Sequence, residues 1–155
     1  MQVKQKAKLS ELLREKAFQH SFPLILVAGL ALSFAANFFK WLPVIVDNKV
    51  NLAITGVAVA AFLFTAQSIL VALSSNNPYM RAIRREGHYL AHIHRCCRRA
   101  EVMFVGLLIP MLYMSNGAWL LNVIVFAGYI AALLFTIWSM ILIGEILIIC
   151  EQHPE

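Results

Sequence analysis

Acidic residues are scarce in this chain: 8 Asp and Glu stand against 13 Lys and Arg in 155 residues, and charged residues make up only 14%. A soluble domain of ordinary surface carries about 25%. No paired catalytic carboxylates, Ser-His-Asp set or Gly-rich phosphate loop is visible, so no enzyme is expected. Cysteine is equally thin. Cys96, Cys97 and Cys150 form no disulfide framework, since adjacent cysteines rarely pair, and no Cys-x-x-Cys occurs. His88 and His92 lie one helical turn apart, as two zinc ligands could, but the only other ligand pair is Cys150 and His153. No metal and no cofactor are expected. A cleavable signal peptide is also missing: Met1–His20 is too long and too charged for its basic start, and no short apolar core ends at a small-residue cleavage point.

What the chain has is hydrocarbon. Hydrophobic residues make up 61%, and the mean hydropathy is +0.74. The length suits one membrane domain, 1–155, without a separate soluble domain. The expected fold is all-α: a polytopic membrane protein with four transmembrane helices and cytoplasmic helical extensions.

Residues 1–22 carry Lys4, Lys6, Lys8, Arg14 and Lys16, with a helical stripe of Val3, Leu9, Leu12, Leu13, Ala17 and Phe18. That pattern predicts a basic amphipathic helix lying on a bilayer surface. Pro23 then opens a first span, 24–39, in which Gly29, Ser33 and Asn37 recur every fourth residue, as packed membrane helices require. A polar turn over Lys40–Asn51 leads to an alanine-rich second span, 52–73. Gly56 and Ala60 there form a second small pair. Thr65, Gln67 and Ser68 should face protein or a water-filled path.

Between two apolar blocks lies Ser74–Arg99, with six arginines, three histidines and two cysteines. Residues 74–99 are expected to be a cytoplasmic basic helix or loop, running as one helix from Pro78 or Gly87 into a third span, 98–114. Its arginines would snorkel to the surface and Pro110 would bend it. Ser115-Asn116-Gly117 makes a tight turn. The fourth span, 118–141, continues beyond one bilayer thickness toward Cys150.

The N-terminal segment and the central stretch hold eleven of the thirteen Lys and Arg residues; only Lys40 and Lys49 lie elsewhere. The positive-inside rule then puts both termini in the cytoplasm of a bacterial inner membrane, with four passes.

Counting 1.5 Å per residue from the third turn sets Glu145 at the depth of His88, near Arg84, Arg85 and His92. A carboxylate on so apolar a helix needs such a partner, so Glu145 and His88 are read as a salt bridge or latch. Asn37, Gln67, Asn122, Tyr129 and Thr136 are the candidate pore lining; Asn122, Tyr129 and Thr136 recur every seven residues. The same groups would also serve as hydrogen-bonding contacts within one bundle. Arg81, Arg84, Arg85, Arg95, Arg98 and Arg99 form a basic face for anionic lipids of the cytoplasmic leaflet or for a cytosolic protein partner. Nucleic acid is not the expected ligand.

The segments ITGVAVAAFLFTAQS and RAIRREGHYL, and the block from Val102 to Glu151, resemble the membrane subunit of the lambda Rex phage-exclusion system. The resemblance covers about the last two thirds of the chain; the charged N-terminal segment departs from it. It implies four spans and an ion channel that depolarises an infected cell. The expectation is therefore a homo-oligomeric channel or pore in phage defence or exclusion. The alternative is a non-conducting anchor, immunity or accessory protein that docks a cytosolic partner.

Overall fold

Long apolar runs without clustered breakers form helices, because each backbone N–H then finds its acceptor within its own segment. The computed structural model describes residues 22–76 and 88–152, and among these every regular element is a helix. The elements are α1 (Phe22–Phe38), α2 (Leu42–Asp47), α3 (Lys49–Asn76), α4 (His88–Leu112) and α5 (Trp119–Gln152). The surface helix expected over 1–22 lies outside the described residues, apart from Phe22. So do Arg81, Arg84 and Arg85.

Two helices are long and apolar enough to cross a membrane, over Lys49–Ala72 and Trp119–Glu145. They correspond to the expected second and fourth spans. The other two expected spans differ from these for identifiable reasons. Helix α1 is apolar but shorter. Helix α4 carries Arg95, Arg98, Arg99 and Glu101 between its first turns and its middle. The expected turn over Lys40–Asn51 contains a helix of its own: Pro43 sits at the start of α2, and Leu42 and Val46 bury their side chains. Helix α4 runs through Pro110 and ends two residues later, closing with the Tyr113 N–H on the Pro110 carbonyl at 3.1 Å.

Helix α4 is the centre of the bundle, packed against α3 on one side and α5 on the other. Its inner face, including Ile93, Cys96, Cys97, Ala100, Phe104 and Met111, is buried. Leu63 and Leu70 of α3 and Tyr129, Ala132 and Phe135 of α5 complete the core. Phe104 meets Tyr129 edge-on with ring centroids 5.5 Å apart. A Cβ at Gly56 would come within 3.1 Å of the Phe104 ring, so the missing side chain lets α3 close on this pair.

At the other side of α5, α1 docks through two residues of the expected small stripe. A Cβ on Gly29 would lie 2.7 Å from the Ala127 carbonyl oxygen, and Ser33, fully buried, donates to the Val123 carbonyl at 2.7 Å. The third member, Asn37, is exposed at the end of α1.

Lys49 ties one end of the bundle. Its Nζ donates to the carbonyls of Leu112 and Met114 at 3.1 and 2.7 Å, a cation on the last carbonyls of α4 where the helix dipole is negative.

Candidate functional site

The antiparallel pairing that puts Lys49 beside Leu112 carries Gln67 to the arginine-bearing half of α4. Gln67 is half-buried and bridges two residues of that helix. Its Nε2 donates to Glu101 Oε1, and its Oε1 lies 3.0 Å from His94 Nδ1. A carboxylate only accepts, so the amide must turn its nitrogen to Glu101 and its oxygen to His94. His94 then carries its proton on Nδ1 in order to donate. One amide thus orders a carboxylate and an imidazole seven residues apart and links α3 to α4.

Arginine faces the other way. Arg95, Arg98 and Arg99 are exposed, and Arg95 Nε donates to its own helix at Ala91 with a distance of 3.1 Å. The Arg99 guanidinium sits 4.6 Å from the centroid of Phe22, whose ring lies 5.7 Å from that of Phe135. The start of α1, α4 and α5 therefore meet at a cation–π contact.

The five candidate lining residues fall in different places. Asn122 is buried at the start of α5, where its Nδ2 donates to Ser115 at 2.8 Å; its Oδ1 has no hydrogen-bond partner among the described residues. Tyr129 is buried against Phe104. Thr136, half-buried, bonds back to Ala132 at 2.9 Å. Gln67 belongs to the network with Glu101 and His94, and Asn37 is exposed on α1.

A polar line on the outside of α3 escaped the sequence reading. Asn51, Ala58, Thr65 and Ala72 recur every seven residues and all are exposed; Thr55, Ala61 and Ser68 flank them, also exposed. The hydroxyls of Thr55, Thr65 and Ser68 bond the preceding turn at 2.8, 3.0 and 3.0 Å. Individual Thr and Ser residues were visible in the sequence, but their common face required sorting α3 by sevens.

Glu145 is half-buried on α5, and neither it nor His92 is without a partner. Phe104 opposite Tyr129 and Leu107 against Gly128 set the register of α4 on α5. Extended at equal rise, that register brings Glu145 level with the first turn of α4, which His88 opens. The His88 side chain lies outside the described residues. Among the described residues no group of three or more His, Cys, Asp or Glu could hold a metal ion.

Comparison with protein-family models, curated proteins and solved structures finds no match for this chain.

Proposed function

We propose that this chain is a subunit of a homo-oligomeric channel in a bacterial inner membrane, crossing it four times with both termini in the cytoplasm. The observation that carries the reading is the exposed line of Asn51, Thr55, Ala58, Thr65, Ser68 and Ala72 along α3. A helix facing only lipid gains from large apolar side chains on all its outer positions; α3 has these at Val57, Phe64 and Val71, and Ile54, Phe62 and Ile69 alternate with the small and hydroxyl residues of the line itself. Small and hydroxyl side chains on one seam suit close approach of a second helix or contact with water. Pore lining thus passes from the interior residues Gln67, Asn122, Tyr129 and Thr136 to the outer face of α3. Gln67, Asn122 and Thr136 serve as hydrogen-bonding contacts within each subunit, and Tyr129 as a ring contact with Phe104. The resemblance to the lambda Rex membrane subunit supports depolarisation during phage exclusion as the setting.

Exposed Arg95, Arg98 and Arg99 favour a second reading, a non-conducting anchor whose basic rim docks a cytosolic partner. Membrane potential, read by dye in bacteria expressing the chain, separates the two. A conducting α3 seam predicts depolarisation by the wild type that Thr65→Leu/Ser68→Leu abolishes at equal membrane abundance. Undisturbed potential in both, at rest and under phage challenge, would sink the channel and leave the anchor.

A further inference from the structure

Where the start of α1 meets the arginine face of α4 there is an open groove of about 410 Å³, lined by Phe22, Arg95, Arg98, Arg99, Val102 and Met103. The stems of Arg95, Arg98 and Arg99 line it together with Phe22, Val102 and Met103, so its wall is almost wholly apolar, and the lining includes no carboxylate; the three arginines are exposed beside it. The carboxylate nearest in sequence, Glu101, is turned to Gln67 on α3. The floor is an aromatic ring, a valine that is 63% exposed and a methionine. Three clustered cations call for an anion with several acceptor oxygens. The exposed apolar floor calls for hydrocarbon beside it.

The depth of the groove selects among anions. Counted from Leu112, near which Lys49 closes the far end of α4, Arg99 lies about 20 Å and Arg95 about 26 Å along the helix axis. A bilayer's hydrocarbon is about 30 Å thick. From this depth the stem of Arg95 brings its guanidinium to the phosphate level, Arg98 and Arg99 stand one turn below it, and Val102 and Met103 stay at acyl-chain depth. The chain's own first 21 residues are the wrong charge for the groove: Lys4, Lys6, Lys8, Arg14 and Lys16 outnumber Glu11 and Glu15.

We propose that this groove is a binding site for one anionic phospholipid. Arg95, Arg98 and Arg99 hold the phosphate, and an acyl chain lies over Phe22, Val102 and Met103. The Arg99–Phe22 contact sets the fork of Arg99 toward the phosphate and gives the acyl chain a flat wall. The inference rests on the membrane reading of the chain and not on conduction.

The test uses the full chain purified in detergent and exchanged into phosphatidylcholine nanodiscs containing a minority of phosphatidylglycerol. Lipid that stays with the protein is counted by native mass spectrometry. The wild type should retain phosphatidylglycerol over phosphatidylcholine by about tenfold, the scale of a charge-assisted phosphate contact. Arg98→Gln/Arg99→Gln should bring the ratio near one. Phe22→Ala should loosen lipid of both kinds, and added inorganic phosphate should not displace the lipid. Circular dichroism on each variant guards against unfolding, with Arg98→Lys/Arg99→Lys as a charge-preserving control that retains partial preference. Equal retention of both lipids by the wild type overturns the proposal, as does a preference that survives the double Gln variant. Release by inorganic phosphate would reassign the groove to a free anion. Preference appearing only after deletion of residues 2–21 would reassign it to that segment. Carbonate-resistant sedimentation with membranes tests the membrane reading separately, so a chain that stays with membranes yet shows no lipid preference fails only here.

Discussion

Cys96 and Cys97 are 1% and 0% exposed on the inner face of α4, although Arg95, Arg98 and Arg99 surround them in sequence. Nearby cations ordinarily lower a thiol's pKa and make it reactive. Burial wins at this position. It pushes Cys96 up to about 11, against the pull of Arg99, and it pushes Cys97 up despite a side-chain hydrogen bond with Ser139. The folded chain therefore holds these protons more tightly than the unfolded chain does. The contribution of Cys96 to stability is complete below the ordinary thiol value of 9.0 and is lost as pH rises from there through about 11, and Cys97 acts in the same direction. In native membranes at neutral pH, a Cys150→Ser chain should react with maleimide roughly a hundredfold more slowly than the same chain carrying Asn116→Cys in its exposed turn. A two-unit rise in pKa alone gives that ratio through the thiolate fraction. Labelling of both at the same rate would show that α4 does not bury this face. The sequence already sets this pair among arginines. It could not show that burial outweighs three arginines, because that depends on what α3 and α5 place over the thiols.

At the scale of elements, the helix ends show how chain direction is set. After α1, Lys40 takes φ 58°, the left-handed region. Trp41 N–H bonds the Ala36 carbonyl at 2.9 Å and Lys40 N–H the Asn37 carbonyl at 3.0 Å, the paired bonds of a Schellman stop. Glycine is the usual residue in that position, since a side chain there costs roughly 1–2 kcal/mol. Lys40 is exposed. Lys40→Gly should therefore raise stability by about 1 kcal/mol, read as a higher midpoint of thermal unfolding in detergent, while Lys40→Ala should gain nothing. A midpoint unchanged by glycine would mean that the backbone does not hold this turn. The existence of α1, α3, α4 and α5 was legible, because apolar runs of that length have few alternatives. Helix α2 was not: Lys40, Asp47 and Asn48 frame it, and its few residues are too short for a periodic signal. The small stripe on α1 was legible for Gly29 and Ser33, which meet α5. It failed for Asn37, which is exposed on the last turn of α1.

For the whole molecule, the deciding question is which polar groups a single subunit satisfies and which it leaves on its outside. Gln67 was recognisable as a residue in need of a partner. Its partners Glu101 and His94 stand 34 and 27 positions away, and only the pairing of α3 with α4 brings them together. Buried Tyr129 and Asn122 likewise belong to the inside of one chain. Choosing polar residues one at a time gathered these interior groups and passed over the face of α3 that alternates small and hydroxyl residues every seven positions. If subunits associate along that face, Ala58 and Thr65 of neighbouring copies must come close, whereas Phe64, 67% exposed and turned about 100° around α3 from Thr65, must not. In a chain freed of its three cysteines by substitution with serine, Ala58→Cys and Thr65→Cys should each yield disulfide-linked dimers on mild oxidation in native membranes. Phe64→Cys should yield few. The comparison is informative because all three positions lie on one helix and within two turns, so depth and helix stability are shared and only the direction differs. Equal cross-linking at the three positions would mean random collision in the bilayer. Strong linkage at Phe64→Cys alone would put the neighbour on the flank of Val57, Phe64 and Val71 and leave the Asn51–Ala72 line to lipid.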